Sequence, residues 1–287
     1  MMLLYSLHQN LQVTHIHQDT ERMSRIFFHV DDLVLVGPGN DFKNKFQEHF
    51  KNSSCHEPNT ILGMKFERIG HKILLSQPKH IDHGLEELGL IHCKPSQTPL
   101  TPNVKLVEAT DEDHSLFKKE KFNSRFVIGL MNYIAGYTRM QHWHEVKKVW
   151  QYLCCTRDLK LTLEIKQPSQ FLDIYSDVSW GNDPKHRTSQ SGYICYLFGS
   201  VVSWNSSRQH NVTYSFTEAE LNPLVDSFHK GTWLKSLLSD IWDIQVDAAN
   251  HYIDDADLNE CLLMDDMNSS SATPILTKLT IKVWMIN

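Results

Sequence analysis

The chain has 287 residues and a formal net charge of −6, with 41% hydrophobic and 22% charged residues. This composition excludes collagen-like, disordered and coiled-coil proteins, and the length allows one large domain or two modest ones. The mild acidity argues against nucleic-acid binding by bulk positive charge, so such binding would need a local basic patch or a metal site.

No stretch reaches the roughly 20 apolar residues that a membrane helix needs, and the apolar start at Met1–Tyr5 lacks the basic flank of a signal peptide. The six cysteines are scattered without a C-x-x-C pair, which is typical of reduced thiols. We therefore expect a cytoplasmic or nuclear protein that has no membrane partner.

The first stretch, to about residue 75, predicts strands and one helix. Two β-rich runs, Ile26–Val30 and Leu33–Val36, predict a hairpin around Asp31 and Asp32. Aspartate is a favourable turn residue, which is the simpler explanation of the pair. The alternative is a divalent cation that offsets the repulsion between two carboxylates held among apolar strands. The remaining elements predicted here are a helix over Asp41–Phe50 and a second hairpin of Ile61–Glu67 and His71–Ser76.

The middle stretch, about 76–166, predicts mainly helices. Pro78 at one end and Gly89 at the other bound a short helix with an apolar face. Later helices are predicted over Val127–Tyr137 and Glu145–Leu153.

The last stretch, about 170–287, predicts strands followed by a long helix, hence an α+β or mixed α/β domain. The strands are predicted at Phe171–Tyr175, Gly192–Leu197, Val201–Trp204 and Asn211–Ser215. The helix is predicted over about Glu218 to Ile241. Pro223 lies inside this helix and predicts a kink, since an interior proline costs ~3 kcal/mol or more.

A resemblance to a known family emerges from the motifs in chain order. The run Phe27-Phe28-His29-Val30-Asp31-Asp32 resembles the Tyr-Val-Asp-Asp hairpin of reverse transcriptases, with His29 in place of the usual aromatic residue. Segments similar to those of copia-type retrotransposon Pol polyproteins follow at Leu62-Gly63-Met64, Cys93–Pro102, Gly129–Arg139 and His142–Thr156. Each motif is weak alone, but the ordered series is specific and covers nearly the whole chain.

The resemblance implies an incomplete reverse transcriptase palm over 1–75 and a thumb-like helical region over 76–166. In that family the aspartates matching Asp31 and Asp32 hold Mg²⁺, and the substrates are an RNA template and dNTPs. A third aspartate comes from an upstream strand that nothing in residues 1–30 resembles. We therefore expect no polymerase activity from this chain alone.

The C-terminal motifs resemble the ribonuclease H of the same polyproteins, which cleaves RNA in an RNA–DNA hybrid. The matching segments are Tyr175–Trp180, Arg187–Tyr193, Ser203–Ser206 with Gln209, Ser215–Leu221 and His251–Asp255. The resemblance implies a ribonuclease H-like mixed sheet with helices over 170–287. It also implies that Asp177, Glu220 and Asp254 hold two Mg²⁺ ions as catalytic carboxylates.

Each of these carboxylates has an alternative explanation. Asp177 could be a turn residue at a strand end. Thr217-x-x-Glu220 matches a capping box, in which Glu220 would bind the start of its own helix. Asp254 could belong to a solvated acidic loop.

Two departures from the family favour an inactive ribonuclease H. Thr280 falls where the resemblance implies a fourth carboxylate, and Pro223 lies one turn from Glu220. The alternative function is a non-enzymatic module that binds RNA or an RNA–DNA hybrid, or a pseudogene product without a function. In either case the candidate nucleic-acid contacts are Lys147, Lys148, Arg187 and Arg208, although Lys147 and Lys148 also fit a solvated helix face.

Overall fold

The structure is a computed structural model of mixed α and β composition. It describes residues 12–16, 24–29, 32–36, 40–49, 57–102, 140–166, 171–183, 186–242, 247–268 and 280–283. The chain divides into two compact units, Pro58–Thr162 and the combination of Met1–Glu57 with Leu163–Asn287. None of the helices in these ranges is long and apolar enough to cross a membrane.

The first sheet has three antiparallel strands in the order β1-β2-β3. They are β1 (Gln12–Ile16), β2 (Ser24–His29) and β3 (Asp32–Val36), and helix α1 (Asn40–His49) follows. The β2–β3 pairing places His29 opposite Asp32. The predicted hairpin is therefore present, whereas β1 was not predicted.

The unit Pro58–Thr162 contains a small sheet and two helices. The sheet has the order β4-β5-β6-β7, formed by Thr60–Ile61, Met64–Ile69, Lys72–Ser76 and Leu161–Leu163. The helices are α2 (Pro78–Glu87) and α3 (Met140–Cys155). The two helices pack against each other in one core cluster, in which Leu85 of α2 and the adjacent Leu88 contact Val146 and Trp150 of α3. The predicted helix over Val127–Tyr137 lies outside the described residues.

The segment after α2 runs back along α3. The amide of Ser96 donates to the oxygen of Gln151 at 3.1 Å. The amide and hydroxyl of Thr101 donate to the carboxylate of buried Glu145 at 2.7 and 2.8 Å. Lys148 then donates to the Thr101 hydroxyl at 3.1 Å, so one of the predicted nucleic-acid contacts has a structural partner.

The third sheet has five strands in the order β10-β9-β8-β11-β12. Three are antiparallel: β8 (Leu172–Ser179), β9 (Gln190–Leu197) and β10 (Ser200–Arg208). The other two, β11 (Asn250–Ile253) and β12 (Thr280–Val283), run parallel to β8. Helices α4 (Phe216–Trp242) and α5 (Ala256–Asn268) complete the described elements of this unit.

Local sequence explains the β9–β10 hairpin and the packing of α4. Phe198 and Gly199 both have positive φ, as a two-residue hairpin turn requires. The sheet and α4 share a buried core cluster, in which Leu172, Ile174 and Cys195 come from the strands, Leu234 from α4 and Ala249 from the residue before β11. At Gly231 a Cβ would lie 2.7 Å from Ile174 Cδ1, so the glycine allows α4 to approach the sheet closely.

One sequence prediction is corrected in this unit. The strand predicted at Asn211–Ser215 was wrong, because these residues form the approach to α4. The predicted long helix is present as α4, which runs from Phe216 to Trp242 with Pro223 inside it.

Candidate functional site

Three carboxylates that are distant in sequence lie together in the structure. Asp177 is on β8, Glu220 is in the second turn of α4, and Asp254 directly follows β11. Each offers one carboxylate oxygen, and these oxygens all lie within 4.8 Å of one another. Asp177 and Asp254 are exposed, whereas Glu220 is fully buried.

The parallel pairing of β8 with β11 places Asp254 beside Asp177. In the register, Tyr252 pairs with Tyr175. Two residues further along both strands, Asp254 stands next to Asp177 on the same face, because side chains alternate along a strand. The ring of Tyr175 stacks on that of Tyr252 on this face, with centroids 4.5 Å apart.

Glu220 is free to face the aspartates because other residues cap the helix. The amide of Glu218 donates to Ser215 Oγ at 3.1 Å, while the carboxylate of Glu218 accepts from the amide of Tyr214 at 2.7 Å. The capping-box pattern therefore applies to Ser215-x-x-Glu218. The alternative role of Glu220 as the capping residue is wrong.

Burial and charge together disfavour ionisation of Glu220. Burial raises the pKa of its carboxyl to about 8, and the negative charges of Asp254 and Asp177 add to this effect. The pKa of Asp254 is also raised, by burial first and then by Asp177. Neither carboxylate oxygen of Glu220 has a hydrogen-bond partner among the described residues. Such an arrangement of oxygen donors is one that a hard divalent cation such as Mg²⁺ would stabilise.

Asp255 holds the chain in place just after the candidate ligand Asp254. Its Oδ1 accepts hydrogen bonds from the amides of Asp257 (2.9 Å) and Leu258 (3.3 Å) at the start of α5. Asp255 is buried, whereas the neighbouring Asp254 is exposed. The sequence analysis missed α5, although an aspartate followed by an acidic first turn is a signal for a helix start.

The candidate nucleic-acid contacts fall in both units. Arg187 and Arg208 meet at Asp183: the amide of Arg187 donates to the Asp183 oxygen at 2.8 Å, and Arg208 Nη1 lies 3.1 Å from Asp183 Oδ2. Both arginines are exposed. Lys147 and Lys148 belong to α3 of the other unit.

The acidic pair of the first hairpin is described only in part. Asp31 lies outside the described residues, and Asp32 is the first residue of β3. The assignment of Asp31 and Asp32 as metal ligands stays a prediction.

Comparisons with known proteins show similarity to transposon polyproteins. No protein-family model matches the chain. It is 28% identical over 244 residues to the "Retrovirus-related Pol polyprotein from transposon TNT 1-94" of Nicotiana tabacum, which covers 75% of this chain and 18% of that protein. It is 27% identical over 239 residues to the corresponding polyprotein of transposon RE1 of Arabidopsis thaliana, with coverage of 74% and 16%.

A third relative is similar in length to the matched region. The "Uncharacterized mitochondrial protein AtMg00810" of Arabidopsis thaliana is 25% identical over 232 residues, which cover 72% of this chain and 93% of that protein. By contrast, this chain spans less than a fifth of the transposon polyproteins. The chain is therefore similar to a segment of the Pol polyproteins of copia-type retrotransposons, in agreement with the resemblance that its motifs indicate.

Proposed function

We propose that the unit containing Asp177, Glu220 and Asp254 is a ribonuclease H-like unit that cleaves the RNA strand of an RNA–DNA hybrid. The observation that carries this proposal is the convergence of the three carboxylates, one of them fully buried and without a hydrogen-bond partner. The mixed five-stranded sheet with its long helix also fits the kind of domain that the sequence resemblance implies.

The residues present fit Mg²⁺, because all three donors are carboxylate oxygens and the buried one lacks any other partner. When bound, Mg²⁺ would activate water for attack on a phosphodiester and stabilise the leaving oxygen. Glu220 would hold the inner side of the site, since its helix and its burial restrict its motion. Asp177 and Asp254 would bind from the exposed side, where a nucleic-acid backbone can approach.

We further propose that Arg187 and Arg208 contact the phosphates of the hybrid. Both are exposed, and Asp183 Oδ2 holds the guanidinium group of Arg208, which limits the side-chain freedom that binding would remove there. Arg187 bonds to Asp183 through its main-chain amide, which fixes the backbone at this position. Arginine also suits phosphate recognition through its forked guanidinium group. Replacing either should weaken binding and reduce its dependence on salt concentration.

The decisive experiment is cleavage of a labelled RNA–DNA hybrid by the purified chain with Mg²⁺. Asp177→Asn should abolish cleavage, whereas Asp240→Asn, an exposed carboxylate near the end of α4, should leave it unchanged. Cleavage that survives Asp177→Asn would contradict the proposal.

The same preparations test the non-enzymatic alternative. Hybrid binding without cleavage by the wild type would support a binding module and overturn the proposed hydrolysis. Absence of both would favour a product without a function. The prediction that polymerase activity is absent is tested separately, by primer extension with dNTPs.

A further inference from the structure

Pro223 creates a specific deficit in the helix that carries Glu220. In an α-helix the amide of each residue donates to the oxygen four residues earlier. Proline has no amide hydrogen, so Pro223 cannot donate to the oxygen of Ala219. Ala219 is fully buried, so water cannot replace the lost bond, and an unpaired buried carbonyl is costly.

A glutamine side chain from outside the helix supplies the missing donor. Gln209 Nε2 donates to the Ala219 oxygen at 2.9 Å and also lies 2.8 Å from Ser191 Oγ, to which it donates. The amide of Gln209 donates to the oxygen of Ser189 at 2.8 Å. The side chain is buried, and its main chain is anchored beside the start of β9.

Both partners of Gln209 are neighbours of the candidate metal ligands. Ala219 directly precedes Glu220. Ser191 pairs with Val178, the residue after Asp177, in the β8–β9 register. The side chain of Gln209 thus joins the helical turn of Glu220 to the strand pair that carries Asp177.

We propose that Gln209 is a positioning residue, which replaces the helical hydrogen bond lost at Pro223 and thereby sets the position of Glu220 relative to Asp177. Its consequence for catalysis rests on the proposed function of the carboxylate site. Its consequence for the order of α4 does not, because the hydrogen bond to Ala219 exists whether or not the site cleaves RNA.

Three variants and a matched control test the proposal in the full chain. Gln209→Leu removes the donor and keeps an apolar side chain. Pro223→Ala restores a helical amide that can donate to Ala219, and the double variant combines the two changes. The control is Gln190→Leu, which removes an exposed glutamine bond to Ser206 Oγ (3.0 Å) in the same hairpin.

The first measurement is hydrogen–deuterium exchange of residues 216–224 without metal. We expect faster exchange in Gln209→Leu, recovery in the double variant, and no change in the control. Equal exchange in the wild type and Gln209→Leu, or a failure of Pro223→Ala to restore protection, would overturn the proposal.

The second measurement is Mg²⁺ affinity, which is determined from the shift in melting temperature as Mg²⁺ is added. Outer residues that orient metal ligands typically contribute ~10-fold or more in affinity. We expect Gln209→Leu to lose Mg²⁺ affinity by this factor and the double variant to recover it. If Gln209→Leu merely destabilised the whole unit, a new donor to the Ala219 oxygen alone would not restore the affinity. If the wild type binds no Mg²⁺, the proposed function fails, while the exchange measurement still decides whether Gln209 orders the turn.

Discussion

Gly84 of α2 lies directly against the indole ring of Trp150 on α3. A Cβ at Gly84 would lie 2.0 Å from Trp150 Cη2 and 2.2 Å from Cζ3, and Trp150 is almost fully buried. The close packing of the two helices therefore depends on the absence of a side chain at this position.

Gly84→Ala should destabilise the unit Pro58–Thr162. Alanine favours a helix over glycine by about 1 kcal/mol, but a rigid buried indole cannot move without disturbing the core, and overpacking costs ~1–3 kcal/mol. We expect the clash to exceed the helix preference, with faster hydrogen exchange in α2 and α3. Gly89→Ala is a useful contrast, because no atom lies within 4 Å of its Cβ position and any cost there comes from its positive φ.

Gly231→Ala should destabilise the other unit and disturb the carboxylate site. The new Cβ would meet Ile174 Cδ1 at 2.7 Å in the core between α4 and the sheet. Ile174 is fully buried, so relief requires α4 to shift, at a cost of ~1–3 kcal/mol. Because Glu220 lies on the same helix, we expect weaker Mg²⁺ binding together with the loss of stability. If urea denaturation gave Gly231→Ala the same free energy of unfolding as the wild type, the close approach of α4 to the sheet would be contradicted.

His251 should make the stability of this unit sensitive to acid. Its side chain is buried in β11, with Nδ1 3.3 Å from Ser227 Oγ and its ring near that of Phe228. Burial lowers the pKa of His251 from 6.5 to about 4. The unfolded chain therefore binds a proton below pH 6.5 that the folded chain does not, and stability falls as the pH falls from 6.5 to about 4.

This loss amounts to about 3 kcal/mol, at 1.36 kcal/mol for each unit of pKa. It can be measured by hydrogen exchange of β8 and β11 across this pH range, with His251→Leu for comparison. The stability difference between wild type and variant should shrink by about this amount on acidification. Parallel pH profiles for the two proteins would contradict the assignment.

Glu220 should have the opposite dependence on pH in metal-free protein. Its pKa is raised from 4.5 to about 8, so the folded chain retains a proton that the unfolded chain has lost. Stability is then lost as the pH rises from 4.5 to about 8. Glu220→Gln should remove this slope and be more stable than the wild type at about pH 9.

The same variant should lose the stabilisation that Mg²⁺ provides. A ligand that binds only the folded state stabilises it by RT ln(1 + c/Kd), where c is the free ligand concentration, so the melting temperature rises with the logarithm of ligand concentration above Kd. We expect Mg²⁺ to raise the melting temperature of the wild type and to leave that of Glu220→Gln unchanged. An equal rise in both proteins would mean that the ion binds elsewhere.

Much of the fold could be predicted where the local pattern was strong. The hairpin that contains β2 and β3, helix α2 and helix α4 all have apolar periodicity and recognisable ends, and the structure contains each of them. The short strands β1 and β7 were missed, because few residues carry their pattern and long-range pairing holds them. Helix α5 was missed although an aspartate cap marks its start.

The cap of α4 shows why pattern alone was insufficient at the site. Ser215-x-x-Glu218 and Thr217-x-x-Glu220 match the same capping motif. Only the observed start of the helix distinguishes them, and it assigns the cap to Glu218 and leaves Glu220 in the carboxylate cluster.

The sequence by itself determined the family resemblance, the mixed α and β composition and the identity of three candidate carboxylates, because each depends on residues close together in the chain. Only the tertiary structure decided that Asp177, Glu220 and Asp254 meet, since their proximity requires the parallel register of β8 with β11 and the seating of α4 on the sheet. It also decided the effect of Pro223. Local chemistry marks Pro223 as a missing backbone donor, and only the tertiary structure brings the side-chain amide of Gln209 to the Ala219 oxygen within a continuous helix.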